Sequence, residues 1–479
     1  MPREILINIE TQEKRVAILS DGRLEEFYIE RPQDKTIVGN IYKGIIEAVL
    51  PAVGAAFVDI GLPKKGFLYL SEIEYAFESM ETSAAKPLEI KKGQGVLVQV
   101  VKESFGTKGP RLSCHIGLAG RYLVIMPQDK QIGISRRIED EEERKRLKKV
   151  LSEAKLPQGV GFIVRTAALG KTKQELSRDA QFLFKLWQRM EKIIVAKKAP
   201  ALIYEEYDLT FRVIRDSFTE DVSKLIVDSK DEYYRIRRFM RTFLSYLTNK
   251  IELYRGESLF ADKDVETQVS KIFENKVYLK SKAYIIIEPT EGLVVIDVNS
   301  GGFRKKIGQE EAAFRVNCDV AEEVARQLRL RDLGGIIVID FIDMEKEGHR
   351  RQLLEVLKKA LSNDKAKYDI LGISKFGLVE MTRERVHNTV QTLSYQSCPY
   401  CEGRGRIKSP LTVSIHVLKE LKKFLSGKSL KQVSVTLHPL VIAEILKDKA
   451  NLGSLERKFS TRINFISNPT SHIETFVIA

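Results

Sequence analysis

Leu293-Val294-Val295-Ile296-Asp297-Val298-Asn299 and Gly334-Gly335-Ile336-Ile337-Val338-Ile339-Asp340 decide how this chain is read. Each is a short β-branched apolar run that reaches an aspartate, the pattern of a buried strand with a polar tip. Between them Gln309 to Leu330 has helical spacing, with Phe314, Val320, Val324 and Leu328 recurring along it. Strand, helix, strand predicts a right-handed crossover, which sets the strands parallel and brings Asp297 and Asp340 to one sheet end. Asn299 lies two residues beyond Asp297 and projects to the same face. Asp343, three residues past Asp340, faces the other way if the strand continues.

Neighbouring carboxylates repel unless a proton or a cation lies between them. Oxygen donors with no His or Cys nearby favour Mg²⁺ or Mn²⁺ over zinc, and Mg²⁺ so held keeps waters that can be activated as nucleophile. The competing reading makes each aspartate a cap on the helix or turn that follows. Two matching strand ends and a same-face amide favour the metal site.

Val295-Ile296-Asp297-Val298-Asn299-Ser300 and the run from Arg329-Leu330-Arg331-Asp332-Leu333-Gly334-Gly335 to Asp343-Met344 also resemble the catalytic core of the bacterial ribonuclease E/G family. The resemblance implies that Asp297 and Asp340 bind catalytic Mg²⁺ and that Asn299 contacts the scissile phosphate. It implies an endoribonuclease that leaves 5′-phosphate and 3′-hydroxyl ends. Its substrates would be AU-rich single strands of rRNA precursors and mRNA, with preference for 5′-monophosphorylated ends. The chain stops at residue 479, so the resemblance is to the branch without a disordered scaffold tail, and degradosome assembly through such a tail is not expected.

The bulk numbers agree with that reading. A chain of 479 residues needs several cores. Lys and Arg number 79 against 65 Asp and Glu, a net +14, which suits a polyanion and equally an anionic membrane surface. No apolar run approaches the roughly 18 residues of a membrane span, and the charged N-terminus lacks a signal-peptide core. Four cysteines, two of them closely spaced, are not a disulfide framework. A cytoplasmic protein is expected.

Ile5–Ile9 and Arg15–Leu19 read as strands followed by an Asp21-Gly22 turn. From Gly39 to Ser113 short β-rich runs (Ile41–Leu50, Ala55–Ile60, Gly66–Leu70, Gly95–Lys102) are separated by Gly and Pro, and resemble an OB-fold RNA-binding module. Phe57 and Phe67 are either core residues or base-stacking platforms; composition favours core, and the family likeness favours stacking. Lys108, in Gly106-Thr107-Lys108-Gly109, is a candidate phosphate contact.

Glu139–Lys149 is a dense charge run, Lys173–Ala196 a long amphipathic helix with the single Trp187, and Gly161–Thr172 ends in an imitation of a P-loop. That motif needs glycine where Arg165 stands, so ATP binding is not supported. Arginine and hydroxyl at a strand end do suit a phosphate, although Arg165 also reads as a surface ion-pair residue. By resemblance Gly120, Val124, Arg137, Arg165 and Thr166 form a 5′-monophosphate pocket.

Residues 211–272 mix Phe211–Arg215 with a basic helical stretch, Tyr233–Tyr254, whose Arg235, Arg237, Arg238 and Arg241 either line a phosphate track or are solvated. Lys375 and Arg383 are further candidate phosphate ligands. Helices His416–Leu425 and Val441–Lys449 alternate with strands Val433–Leu437, Ile463–Ile466 and Phe476–Ile478 in a small α/β domain.

Cys398-Pro399-Tyr400-Cys401 is half of a four-cysteine zinc site. Cys114 and Cys318 read as isolated. His387 and His416 could complete the site within one chain; the simpler geometry, which the resemblance also implies, takes Cys398 and Cys401 from each of two protomers. A homodimer with about one Zn²⁺ per two chains follows, with dimer versus tetramer left open.

The expected architecture is α/β and α+β multidomain. By resemblance 1–34 and 211–272 make a ribonuclease H-like subdomain into which the OB-fold domain 35–114 and the sensor region 115–210 are inserted. A deoxyribonuclease-like catalytic subdomain (273–394), a zinc link (395–408) and a small domain (409–479) follow. Two other functions compete: a non-catalytic single-stranded RNA-binding protein, and a Mg²⁺ phosphodiesterase acting on DNA or small nucleotides.

Overall fold

The computed structural model describes residues 2–73, 90–104, 108–154, 156–243, 245–290, 292–301, 308–362, 364–384, 395–396 and 398–479. The chain divides into two compact units, Met1–Leu393 and Ser394–Ala479.

The decisive stretch forms the middle of a six-stranded sheet, ordered Lys276–Tyr278, Tyr284–Pro289, Leu293–Asn299, Gly335–Asp340, Leu378–Arg383, Tyr368–Ile373. Leu293–Asn299 and Gly335–Asp340 run parallel, joined through the helix Gln309–Leu330. The other neighbours are antiparallel. Along Leu293–Asn299 the buried residues alternate: Val294, Ile296 and Val298 face the core. They pack with Val316, Val320 and Val324 of that helix and with Leu353 and Leu357 of Glu347–Leu361. Each aliphatic side chain buried there contributes about 1.5–3 kcal/mol. Helices thus seal one face, while Val295, Asp297 and Asn299 on the other stay half-buried.

A second sheet joins the chain's start to its middle, in the order Ile251–Leu253, Val222–Val227, Arg3–Ile9, Lys14–Ser20, Arg23–Glu30. Asp21 and Gly22, both at positive φ, make the two-residue turn that a tight hairpin requires. Phe211–Arg215 lies inside the helix Leu209–Ser217, which Asp208 caps at Phe211 N–H. The basic stretch is α-helical over Lys230–Phe243 and 3-10 helical over Ser245–Lys250, and its end, Ile251–Leu253, extends to pair with Leu225–Val227.

Strands Ile41–Leu50, Ala55–Asp59, Gly66–Tyr69, Gly95–Lys102 and Arg111–Ser113 close on themselves as an OB barrel, the first pairing with both the second and the fourth. Beside it Leu123–Met126 pairs with Gly161–Val164, which runs parallel to Ile132–Ile134. The helix Lys173–Ala196 covers this sheet, begins at a Thr172–Glu175 capping box and buries Trp187.

In the second unit Gln432–Leu437 lies between Arg462–Ser467, parallel, and Phe476–Ile478, antiparallel. Its helices are Pro410–Leu425, Pro439–Lys447 and Lys449–Phe459. The last is absent from the sequence reading: Asp448 ends one helix and caps the next at Asn451 N–H. Among the described residues no helix is long and apolar enough to cross a membrane.

Candidate functional site

Asp297 and Asp340 are direct register partners across the parallel pair. Equivalent positions on neighbouring strands share a face, so both carboxylates stand together on the side without helices. Asn299 donates its amide to Asp297 Oδ2 at 2.7 Å, in keeping with their same-face spacing. The strand ends at Asp340, and the following loop is held from the crossover helix. Fully buried Asn317 pairs with both backbone groups of Ile342, at 2.8 and 3.0 Å. Glu310 accepts from Glu345 N–H and Lys346 N–H at 2.9 and 3.1 Å. Asp343, exposed, sits between these two anchors.

Among the described residues no group of three or more His, Cys, Asp or Glu gathers for a metal. A carboxylate pair with an amide still fits Mg²⁺, which takes one or two carboxylates and completes its shell with water and phosphate oxygens.

Lys375 is exposed in the turn before Leu378, the residue that pairs with Asp340, and so lies at the aspartates' sheet end. Arg383 does not: it pairs with Gly335 at the opposite end. Only 5% exposed, it donates to both oxygens of Asp364 (2.8 and 3.1 Å), to Asp332 at 2.8 Å and to Leu333 O at 2.7 Å. Its guanidinium is spent on the fold, and the phosphate reading of Arg383 is withdrawn. Arg235 is likewise engaged, with Asp208 and Glu232 and over the Phe211 ring.

On the barrel, Phe57 pairs directly with Phe67, their rings 6.2 Å apart and edge-on. Phe57 is 37% exposed and Phe67 half-buried, on the side of the strands away from Ala56, Val58 and Leu68. Tyr69 continues the row 5.1 Å from Phe67, and Arg111 lies over the Tyr69 ring at 4.9 Å. Sequence reasoning missed both; the alternation Phe67-Leu68-Tyr69 held the signal for the tyrosine. Lys108 is exposed, whereas Gly106 and Thr107 lie outside the described residues. A Cβ on Gly109 would lie 1.8 Å from Lys65 O, so only glycine lets the loop pass there.

Gly120, Arg165 and Thr166 come together. Arg165 donates to Gly120 O at 2.6 Å and pairs with Asp216 at 2.7 Å, and exposed Thr166 opens the turn after Val164. Burial pushes the Asp216 carboxyl up, but Arg215 and Arg165 outweigh it and hold it below its ordinary value. A Cβ on Gly120 would strike Asp179 Oδ2 at 2.6 Å. Asp179 needs that closeness: it accepts from Arg121, Tyr122 and Leu123 N–H and fixes the start of the strand carrying Val124. Burial still raises its pKa. Arg137, exposed, follows the strand Ile132–Ile134, parallel neighbour of the strand that leads to Arg165. Neither Asp179 nor Asp216 carries a local motif that sequence could have flagged.

Cys398 is exposed and Cys401 half-buried. The backbone N–H groups of Cys401 and Tyr400, with the Cys401 thiol, hold Cys398 below the ordinary thiol range, as suits a metal-binding thiolate. Burial pushes Cys114 up to about 12 and Cys318 up to about 11, and neither has a cysteine partner. His416 packs edge-on against Phe476 and belongs to no group of three or more metal-binding side chains among the described residues; His387 lies outside them.

An oligonucleotide-binding barrel in one compact unit with a carboxylate-edged sheet defines a nucleic-acid-processing enzyme. Known proteins narrow that class. The Ribonuclease E/G family profile matches residues 117–386, an S1 RNA binding domain matches 35–115, and the RNase E/G thioredoxin-like domain matches 397–479. Ribonuclease G of Escherichia coli K12 is 41% identical over 489 residues, covering 99% of each chain. Ribonuclease G of Salmonella typhimurium SL1344 is 42% identical over 458 residues, 93% of each. Ribonuclease E of Haemophilus influenzae is 37% identical over 487 residues, 99% of this chain and 51% of its own length. The chain belongs to the ribonuclease E/G family.

Proposed function

We propose that this chain is a Mg²⁺-dependent endoribonuclease that cleaves single-stranded, AU-rich RNA in rRNA maturation and mRNA decay, with preference for 5′-monophosphorylated ends. The endoribonuclease class follows from family membership along nearly the whole chain. One observation carries the Mg²⁺ dependence: Asp297 and Asp340 are register partners on the open face of their sheet, with Asn299 beside them.

In this reading Asp297 and Asp340 hold Mg²⁺, and Asn299 orients the scissile phosphate. Bound there, Mg²⁺ supplies an activated water and neutralises charge on the phosphate oxygens. Attack at phosphorus breaks the bond to the 3′ oxygen, leaving a 5′-phosphate on one fragment and a 3′-hydroxyl on the other. Phe57 and Phe67, with Tyr69 and Arg111, stack bases, and Lys108 meets phosphate. Arg165, Thr166 and Arg137 take the 5′-monophosphate above Gly120 and Val124, with Asp216 and the Gly120 carbonyl holding the guanidinium plane. Cys398 and Cys401 of two protomers close a zinc site that joins a homodimer, or a tetramer of such pairs. Unpaired thiols fit a cytoplasmic setting.

The test is cleavage of matched single-stranded RNAs bearing 5′-monophosphate or 5′-hydroxyl, with Mg²⁺ and with EDTA. Cleavage should need Mg²⁺ and favour the monophosphate, and Arg165→Ala should abolish the preference while internal entry on long RNAs persists. Metal-independent cleavage overturns the assignment. Metal analysis with light scattering should find about one Zn²⁺ per two chains, lost with the dimer in Cys401→Ser. One Zn²⁺ on a stable monomer overturns the shared site.

A further inference from the structure

Past Asn299, towards the sheet edge, the side chains on the open face change from acidic to aromatic and basic. Tyr284 is the antiparallel partner of Asn299, and Tyr278 is the partner of Tyr284. Directly paired residues share a face, so Asn299, Tyr284 and Tyr278 form one row across three strands. Asp340, Asp297, Ile286 and Lys276 form the row beside it. With strands about 4.8 Å apart, Tyr284 lies about one strand, and Tyr278 about two, from Asn299.

The three edge residues touch. The Tyr278 and Tyr284 rings are 5.8 Å apart, and Lys276 Nζ lies 3.7 Å from the Tyr284 centroid and 5.0 Å from that of Tyr278. Tyr278 is 68% exposed, too open for a core role. An edge strand gains from a lysine that blocks further pairing, which accounts for Lys276 but not for an exposed ring beside it. Lys276 has no carboxylate partner among the described residues.

We propose that Lys276, Tyr278 and Tyr284 form a nucleobase platform that holds the RNA strand within two nucleotides of the scissile phosphate. A base stacks on the open face of Tyr278, Tyr284 backs that ring, and the Lys276 ammonium meets the adjoining backbone phosphate. The platform rests on the reading of Asp297, Asn299 and Asp340 as the cleavage site.

Full-length Asp340→Asn protein, bound to single-stranded RNAs with one 2-aminopurine stepped along the strand, tests the stacking directly. Fluorescence should be quenched within two nucleotides of the cleaved bond. The quench should vanish in Tyr278→Ala/Asp340→Asn and survive in Tyr278→Phe/Asp340→Asn. With Asp340 intact, Tyr278→Ala should lower kcat/KM about tenfold, mostly through KM, with melting unchanged. An abasic nucleotide at the quenched position should reproduce this loss in the native protein and add nothing in Tyr278→Ala. Equal abasic losses in both proteins, or kcat/KM of Tyr278→Ala within about twofold of native, overturn the platform. Should Asp340→Asn still cleave RNA, the cleavage-site reading falls instead, and the abasic comparison in native protein still decides the platform.

Discussion

The amino-terminal sheet and the aspartate sheet each set a parallel strand pair against helices, but they bury it differently. In Arg3–Ile9 the four residues Ile5 to Asn8 are buried without interruption, because helical layers cover both faces. In Leu293–Asn299 burial alternates, because helices cover one face only. The first sheet also has an acid and an amide at a strand end: Asn8 donates to Asp228 Oδ2 at 2.7 Å, and Ile9 N–H to Oδ1 at 3.0 Å. Both oxygens of Asp228 are thereby used and burial raises its pKa, and the nearby Glu10 carboxylate accepts from the same Asn8 amide at 3.3 Å. An aspartate–asparagine pair at a strand end is therefore not itself a metal site. What differs at Asp297 is that the second carboxylate, Asp340, is its register partner on the adjacent strand of a half-open sheet.

The largest expected effect tests that difference. Asp297→Asn or Asp340→Asn should slow cleavage by orders of magnitude while RNA binding persists. Asp228→Asn should leave turnover per folded molecule near native and act on stability alone. Parallel single-turnover rates and melting curves separate the two. Equal loss of turnover at Asp228 would make both aspartates structural caps and erase the contrast.

Arginines give the next comparison. Arg383 and Lys375 lie at opposite ends of one strand and turn, and the sequence presents them as equivalent cations. Arg383→Ala should destabilise the protein by about 3–5 kcal/mol, because Asp364 would be left as an unpaired buried charge. Lys375→Ala should barely change stability and should instead flatten the salt dependence of RNA binding, as expected for a phosphate contact. Denaturant unfolding beside binding titrations in a salt series checks both. Normal stability with weakened binding in Arg383→Ala would restore it as a phosphate ligand.

These contrasts mark what sequence could carry. Asp297, Asn299 and Asp340 were legible because side-chain direction along a strand alternates and a strand–helix–strand crossover is parallel; both rules act within the chain's local order. The OB barrel was legible from its run of short strands, as family membership bears out. Arg383 was misread because charge is visible in sequence and burial is not. Asp216 under Arg165, Asp179 under Gly120, and the Tyr278–Tyr284–Lys276 contact depend on register or packing between separate segments, which no local pattern encodes. The helix Lys449–Phe459 was lost because one residue, Asp448, both stops and starts a helix.

The smallest expected effect compares the two sides of one barrel strand. Phe57 faces outward with Phe67 and Tyr69, while its neighbours Ala56 and Val58 are fully buried. Phe57→Ala should weaken single-stranded RNA binding by about 1–3 kcal/mol, the worth of one stacked base. Val58→Ala should reduce stability through a core cavity and leave the affinity of the folded protein unchanged. Tyr69→Ala should behave like Phe57→Ala and also release Arg111 from the ring that now positions it. Binding titrations and thermal melts of the same variants decide the matter. A lowered melting temperature with native affinity in Phe57→Ala would make the ring part of the core after all, since a side chain that bears only on packing cannot change affinity once the barrel is folded.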